Sequence, residues 1–174
     1  MSIETIPFQI GETGDNTELV VDELRLKPLA DCTVDEYAGR SIAVDDGVPA
    51  DMVRRQTSAW LKYIHQEIAS GRSEGYGIYG PEGMLVGDIV VSDAQSPSPE
   101  IMYRIATDSR GRGIATRSVR AVAAHVFAEH RAADAIRFEI HTSNDASQHV
   151  AERVGAVRQA GRDGEEWETW RLER

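Results

Sequence analysis

Cysteine is nearly absent from this chain of 174 residues, where Cys32 stands alone. An internal disulfide is therefore excluded, which suits a cytoplasmic, reducing compartment. Long apolar runs are missing too. None approaches the ~20 residues of a membrane helix, and the amino-terminal stretch lacks a basic-then-apolar export pattern, so no membrane partner is expected. Positive charge is in short supply, with 19 Lys and Arg against 29 Asp and Glu and a net charge of −10. Such a field repels nucleic acid. The histidines, His65, His125, His130 and His149 among them, do not pair with a carboxylate or cysteine cluster at metal-ligand spacing, so no metal is expected. Internal repeats and low-complexity segments are absent. The remaining composition, 41% hydrophobic and 28% charged, is that of one soluble globular domain with a proper core.

The chain divides into a polar amino-terminal segment, residues 1–18, read as a tail or an added edge segment, and a single domain over 19–174. Leu19–Leu29 alternates like a strand. Thr33 and Glu36 form a capping box that opens a short helix. A helical apolar spacing runs from Ala50 to about Ser70, where Gly71 ends it, and Trp60 and Tyr63 at i, i+3 fit its core face. Strands follow at Tyr76–Tyr79 and Met84–Val91, joined by Gly80-Pro81-Glu82-Gly83. Glu100–Ala106 is a further strand. After a glycine turn, Ala115, Val119, Val122 and Val126 make one helical stripe. Ala135–Thr142 is a strand. Asn144 then caps a helix that ends at Gly155, and two strands close the chain around residues 161–164. The order predicts an α+β fold, a mixed and mostly antiparallel sheet with helices on both faces. Parallel pairing is needed only between the strands at Glu100 and Ala135.

The most informative segment is Arg110-Gly111-Arg112-Gly113-Ile114-Ala115-Thr116. A strand, a tight turn and a helix start present free backbone N–H groups to an anion. Two glycines let a phosphate approach, and two arginines flank it. Known phosphate motifs fit poorly. Thr116 replaces the third glycine of a dinucleotide fingerprint, Asp134 precedes the next strand instead of ending it, and no Gly-Lys-Ser/Thr is present.

The pattern Arg110-x-x-Gly113-x-Ala115 resembles the acetyl-coenzyme A pyrophosphate loop of the GCN5-related N-acetyltransferase (GNAT) family. Glu100–Ala106 resembles that family's fourth strand, and Asn144 to Ala156 its Asn-x-Ala-Ser…Gly segment. The nearest branch is the ribosomal-protein N-terminal acetyltransferase type (RimJ/RimL-like). The resemblance spans about Leu19 to Arg171. It implies acetyl-CoA as acetyl donor, a cofactor lying where the parallel pair splays, and direct transfer to an amine. The pyrophosphate would meet the N–H groups of Gly111, Arg112, Gly113, Ile114, Ala115 and Thr116, with Arg110 beside it. The pantetheine arm would meet backbone groups of Tyr103, Arg104 and Ile105, and Asn144 could reach the cofactor as well as cap its helix.

For catalysis the resemblance points to Glu100 as base and Ser147 as hydrogen-bond donor to the sulfur or the amine. Glu100 equally suits a salt bridge with Arg104, and Ser147 a bond to its own backbone. His141 is a second base candidate. The family's usual tyrosine acid is replaced here by Ala151. The expected acceptor is a small cationic or peptide amine, foremost a protein N-terminal α-amine. Alternatives are a small-molecule amine (antibiotic, polyamine or amino acid derivative) or a non-catalytic acyl-CoA-binding regulatory module. A homodimer is compatible with this reading.

Overall fold

Residues 9–11, 18–40, 48–161 and 166–174 are described in the computed structural model. Strands β1 (Gln9–Gly11), β2 (Glu18–Val21) and β3 (Leu24–Pro28) form an antiparallel meander. What reads in sequence as one strand over Leu19–Leu29 is thus a hairpin. Period-2 alternation continues through the turn and hides the reversal, which Asp22 makes with φ 51°. Helix α1 (Val34–Ala38) follows. Glu36 N–H donates to Thr33 Oγ1 at 3.3 Å, and Thr33 N–H donates back to Glu36 Oε2 at 2.9 Å, completing the capping box.

Helix α2 (Ala50–Ala69) leads to the hairpin β4 (Ser73–Tyr79) and β5 (Leu85–Ser92), then β6 (Glu100–Ile105). Helix α3 (Ile114–Glu129), β7 (Ala135–His141), α4 (Asp145–Val154), β8 (Val157–Arg158) and β9 (Trp167–Glu173) complete the described elements. The sheet order is β1-β2-β3-β4-β5-β6-β7-β9-β8, antiparallel except for β6 with β7. Of residues 161–164, around which the closing strands were expected to turn, 162–164 lie outside the described residues.

Two cores lie on opposite faces of the sheet. One packs α3 and α4 over Leu26, Ile78, Ile89 and Phe138, and its helical contribution includes the stripe Val119, Val122 and Val126. The other packs α1 and α2 over Tyr79, Leu85 and Val90. Strand alternation sends Ile101 and Ile105 into the first core with Tyr103 against it, and leaves Met102 47% exposed on the other face. Tyr63 departs from the sequence expectation. It is 59% exposed, while Trp60 packs against Tyr37 at 5.1 Å. An i, i+3 pair spans some 60° of helix face, so only one of the two lies against the sheet.

Cys32 is buried, and its Sγ lies 3.2 Å from the Tyr79 hydroxyl beneath a shallow groove of about 570 Å³ along α2. Burial pushes its thiol up to about 11. Alkylation by iodoacetamide at pH 8 should therefore run about 10²-fold slower in the folded protein than in denaturant, because the thiolate is the reactive form. Equal rates would contradict this burial.

Candidate acetyl-transfer site

Parallel strands β6 and β7 are joined by one ladder pair, Glu100 with Arg137, and are tied at the same end by Arg137 N–H donating to the Pro99 carbonyl at 2.8 Å. Beyond it no ladder pair joins them, and a cleft of about 780 Å³ opens between Tyr103–Ile105, the turn before α3, and α4. Helix α3 must cross from the end of β6 to the start of β7, so its amino terminus faces the gap.

The floor of the cleft is the glycine turn. Gly111 (φ 74°) and Gly113 (φ 70°) are both left-handed, a conformation glycine adopts without penalty. Gly113 is the N-cap of α3 and supplies no side-chain cap. Among the described residues, no acceptor takes the N–H groups from Gly111 to Thr116. Six consecutive donors at the positive end of a 16-residue helix fit a pyrophosphate in charge and spacing. A Cβ built on Gly113 meets no protein atom within 4 Å, so the backbone there is open to solvent. Arg110, Gly111, Gly113, Ile114, Ala115 and Thr116 line the cleft. Arg110 Nε donates to the Ile105 carbonyl at 3.1 Å, which holds the guanidinium beside the turn. Arg112 does not line the cleft, although its amide belongs to the row of free donors.

The far wall comes from α4. Asn144 caps that helix, its Oδ1 accepting from Ser147 N–H at 3.1 Å. Asn144 and Ser147 also line the cleft. Ala151 is fully buried in the core, so the family's tyrosine position carries no chemistry here. Across from Ser147 stands Tyr103. Its hydroxyl is buried with no hydrogen-bond partner among the described residues. Burial pushes its pKa up, and Ser147 lies near enough to pull it partly back. The family resemblance had pointed to Tyr103 only by its backbone; the structure adds a buried hydroxyl at the cleft wall.

The base candidates sit differently from expectation. Glu100 Oε2 accepts from Arg137 Nη2 at 2.9 Å and does not line the cleft. The alternative partner, Arg104, is taken by Asp88. Four residues of strand put Glu100 about 13 Å from Arg104, at the closed end of the splay. His141 Nδ1 is 2.8 Å from Ser143 Oγ, and its ring meets Trp167 edge-on at 5.3 Å.

Several cleft and near-cleft residues had gone unassigned. His149, Val150 and Arg153 join Ala146 on one face of α4, a helical spacing visible in the sequence once the helix is placed. Asp88 carried a clearer signal, an acid inside the apolar run Leu85–Val91. It is 2% exposed, and burial pushes its carboxyl up to about 6 while Arg104 pulls it back down. Among the described residues, no group of three or more His, Cys, Asp or Glu is placed to hold a metal ion, and no helix is long and apolar enough to cross a membrane.

Residues 23–157 match the family model of the acetyltransferase (GNAT) domain, so the chain belongs to the GNAT acetyltransferase family. Members of that family use acetyl-CoA as acetyl donor. A Vibrio cholerae protein provisionally described as a ribosomal-protein-serine acetyltransferase superposes with a TM-score of 0.72 at 17% identity, covering 94% of this chain and 100% of that one. Mycobacterium smegmatis RimJ, in complex with CoA-disulfide, gives 0.64 at 19% identity, with coverage of 86% and 80%. A spermidine N-acetyltransferase chimera of Vibrio cholerae SpeG and hSSAT gives 0.66 at 14%, with coverage of 87% and 94%. At these identities the likeness is one of fold. A sequence comparison with curated proteins finds no match.

Proposed function

We propose that this acetyltransferase moves the acetyl group of acetyl-CoA directly onto the α-amine of a protein or peptide N-terminus. Acetyl-CoA brings an activated thioester, and the residues around it hold, orient and donate hydrogen bonds. The N–H groups of Gly111 to Thr116 and the Arg110 guanidinium would take the pyrophosphate. Backbone groups of Tyr103 to Ile105 would align the arm, and Asn144 would cap α4 and face the cofactor.

The observation that carries the choice of acceptor is that, among the described residues, no carboxylate lines the cleft. A lysine side chain near pKa 10.4 is neutral in only about one molecule in 10³ at pH 7, whereas an α-amine near 7.7–8.0 is neutral in roughly one in ten. A site without an adjacent acid to take the proton favours the amine that loses it to water. Glu100, bound to Arg137 at the closed end of the splay, then serves the sheet and not the proton. His149, which lines the cleft, is the side chain there that would receive a proton through solvent.

Acetyl-CoA should bind with micromolar affinity in calorimetric titration, as should coenzyme A, and NADH should not. With N-terminal peptides as acceptors, kcat/KM should rise about tenfold per pH unit up to about 8 and flatten above it. Peptides acetylated beforehand at the α-amine but bearing lysine should be poor acceptors. Faster turnover of the lysine side chain or of a small-molecule amine would overturn the acceptor assignment. The buried Ala151 favours a second reading, a module that binds acyl-CoA without turnover. Tight acetyl-CoA binding with no acetylation of any amine would establish it.

A further inference from the structure

On the sheet face that carries α1 and α2, Arg104 is held from three sides. Its Nη2 lies 3.1 Å from Asp88 Oδ2 and donates to the Tyr37 hydroxyl at 2.7 Å, while Nε donates to Asp88 Oδ1 at 3.3 Å. The guanidinium lies over the Trp60 ring, 4.0 Å from its centroid. A planar cation fixed by a buried acid and stacked on an indole has surrendered most of its rotamer freedom before any ligand arrives. Arg104 also lines the cleft and remains 33% exposed. Among the described residues nothing accepts from Nη1, so two N–H donors are left over.

The charges around Arg104 sharpen the meaning of those donors. Among the described residues, the acids named on this face each have a cation: Asp88 has Arg104, Glu100 and Glu139 share Arg137, and Asp108 has Arg40. Among the described residues no spare carboxylate stands beside Arg104 to receive the ammonium groups of a polyamine. The unspent capacity there is for an anion.

We propose that Arg104 anchors the acceptor by binding a carboxylate, so that the preferred substrate is a peptide or amino acid carrying an acidic group close to its reacting α-amine. The proposal rests on the acceptor reading above and narrows it. Asp88, Tyr37 and Trp60 act as positioning residues for the guanidinium. The net field of the protein, at −10, opposes acidic ligands at long range. Recognition therefore depends on short, directed N–H to carboxylate bonds, which arginine makes with two parallel donors.

The test compares peptide acceptors that differ only by Asp against Asn at the first, second or third position, with spermidine alongside. The wild type should favour the Asp peptide at one position by at least about tenfold in kcat/KM, mainly through KM, and should leave spermidine a poor acceptor. In Arg104→Gln that ratio should fall to about one, and Arg104→Lys should restore only part of it. Because each ratio is taken within one variant, any loss of stability or donor binding cancels. Turnover of peptides with no Asp preference at any position, a preference that survives in Arg104→Gln, or spermidine as the better acceptor would overturn the proposal while leaving the acetyltransferase in place. Failure of every amine to react would instead bring down the acceptor reading, and the proposal with it.

Discussion

Replacing Gly113 by alanine should weaken acetyl-CoA binding at least about a hundredfold while leaving the protein folded. Gly113 sits at φ 70° and ψ 9°, immediately before the first turn of α3. Alanine pays about 1–2 kcal/mol for that left-handed conformation, a loss most domains survive. No protein atom lies within 4 Å of the added methyl, so the fold gains no clash. The methyl instead fills the space above the free N–H groups, where phosphate oxygens must approach to hydrogen-bond distance. Charge-assisted bonds are worth about 1.5–3 kcal/mol each, so displacing two of them accounts for a hundredfold or more. Gly113→Val would be harsher on both counts, because a β-branched residue fits that region poorly.

Strain and obstruction can be separated by a second glycine. Gly71, just past α2, has φ 72° and likewise nothing within 4 Å. Gly71→Ala should shift the melting temperature as Gly113→Ala does, yet bind acetyl-CoA like the wild type in calorimetric titration. Equal affinity in Gly113→Ala and the wild type would remove the turn from the binding site.

The fold was legible in the sequence because its signals are local. The capping box at Thr33, the stripe on α3, the cap at Asn144 and the stop at Gly155 each depend on residues within one or two turns of helix. The candidate phosphate loop was legible for a related reason, since backbone donors are exposed wherever a glycine turn opens a helix. What escaped depends on pairings distant along the chain. Asp88 meets Arg104 across neighbouring strands, and Tyr37 and Trp60 reach the same guanidinium from two helices. No spacing rule links those four positions. Alternation placed Glu100 and Arg104 on one face, but it could not show that Arg137 would claim the first and Asp88 the second.

Tyr103→Phe and Ser147→Ala should each lower kcat by at least about tenfold, and the double variant should lose little more than the worse single one. Collapse of the tetrahedral intermediate expels a thiolate, and with Ala151 in the core that charge needs another donor. Tyr103 brings a buried hydroxyl whose nearest side-chain partner is Ser147, and burial keeps its proton in place at neutral pH. Ser147 faces it from the first turn of α4 across the same cleft. Hydrogen bonds aimed at developing charge in a site shielded from water contribute roughly 10²–10³ in rate, and two donors serving one atom lose that contribution as a unit. Phenylalanine keeps the ring packed against the core, so a folding defect should not mimic the effect. The diagnostic measurement is single-turnover transfer from acetyl thioesters of graded thiol acidity. A more acidic leaving thiol needs less stabilisation, so the defect in both variants should shrink as thiol pKa falls. A defect that stays constant across the thiols would place Tyr103 and Ser147 in binding, and unchanged kcat in both variants would leave the departing sulfur to water alone.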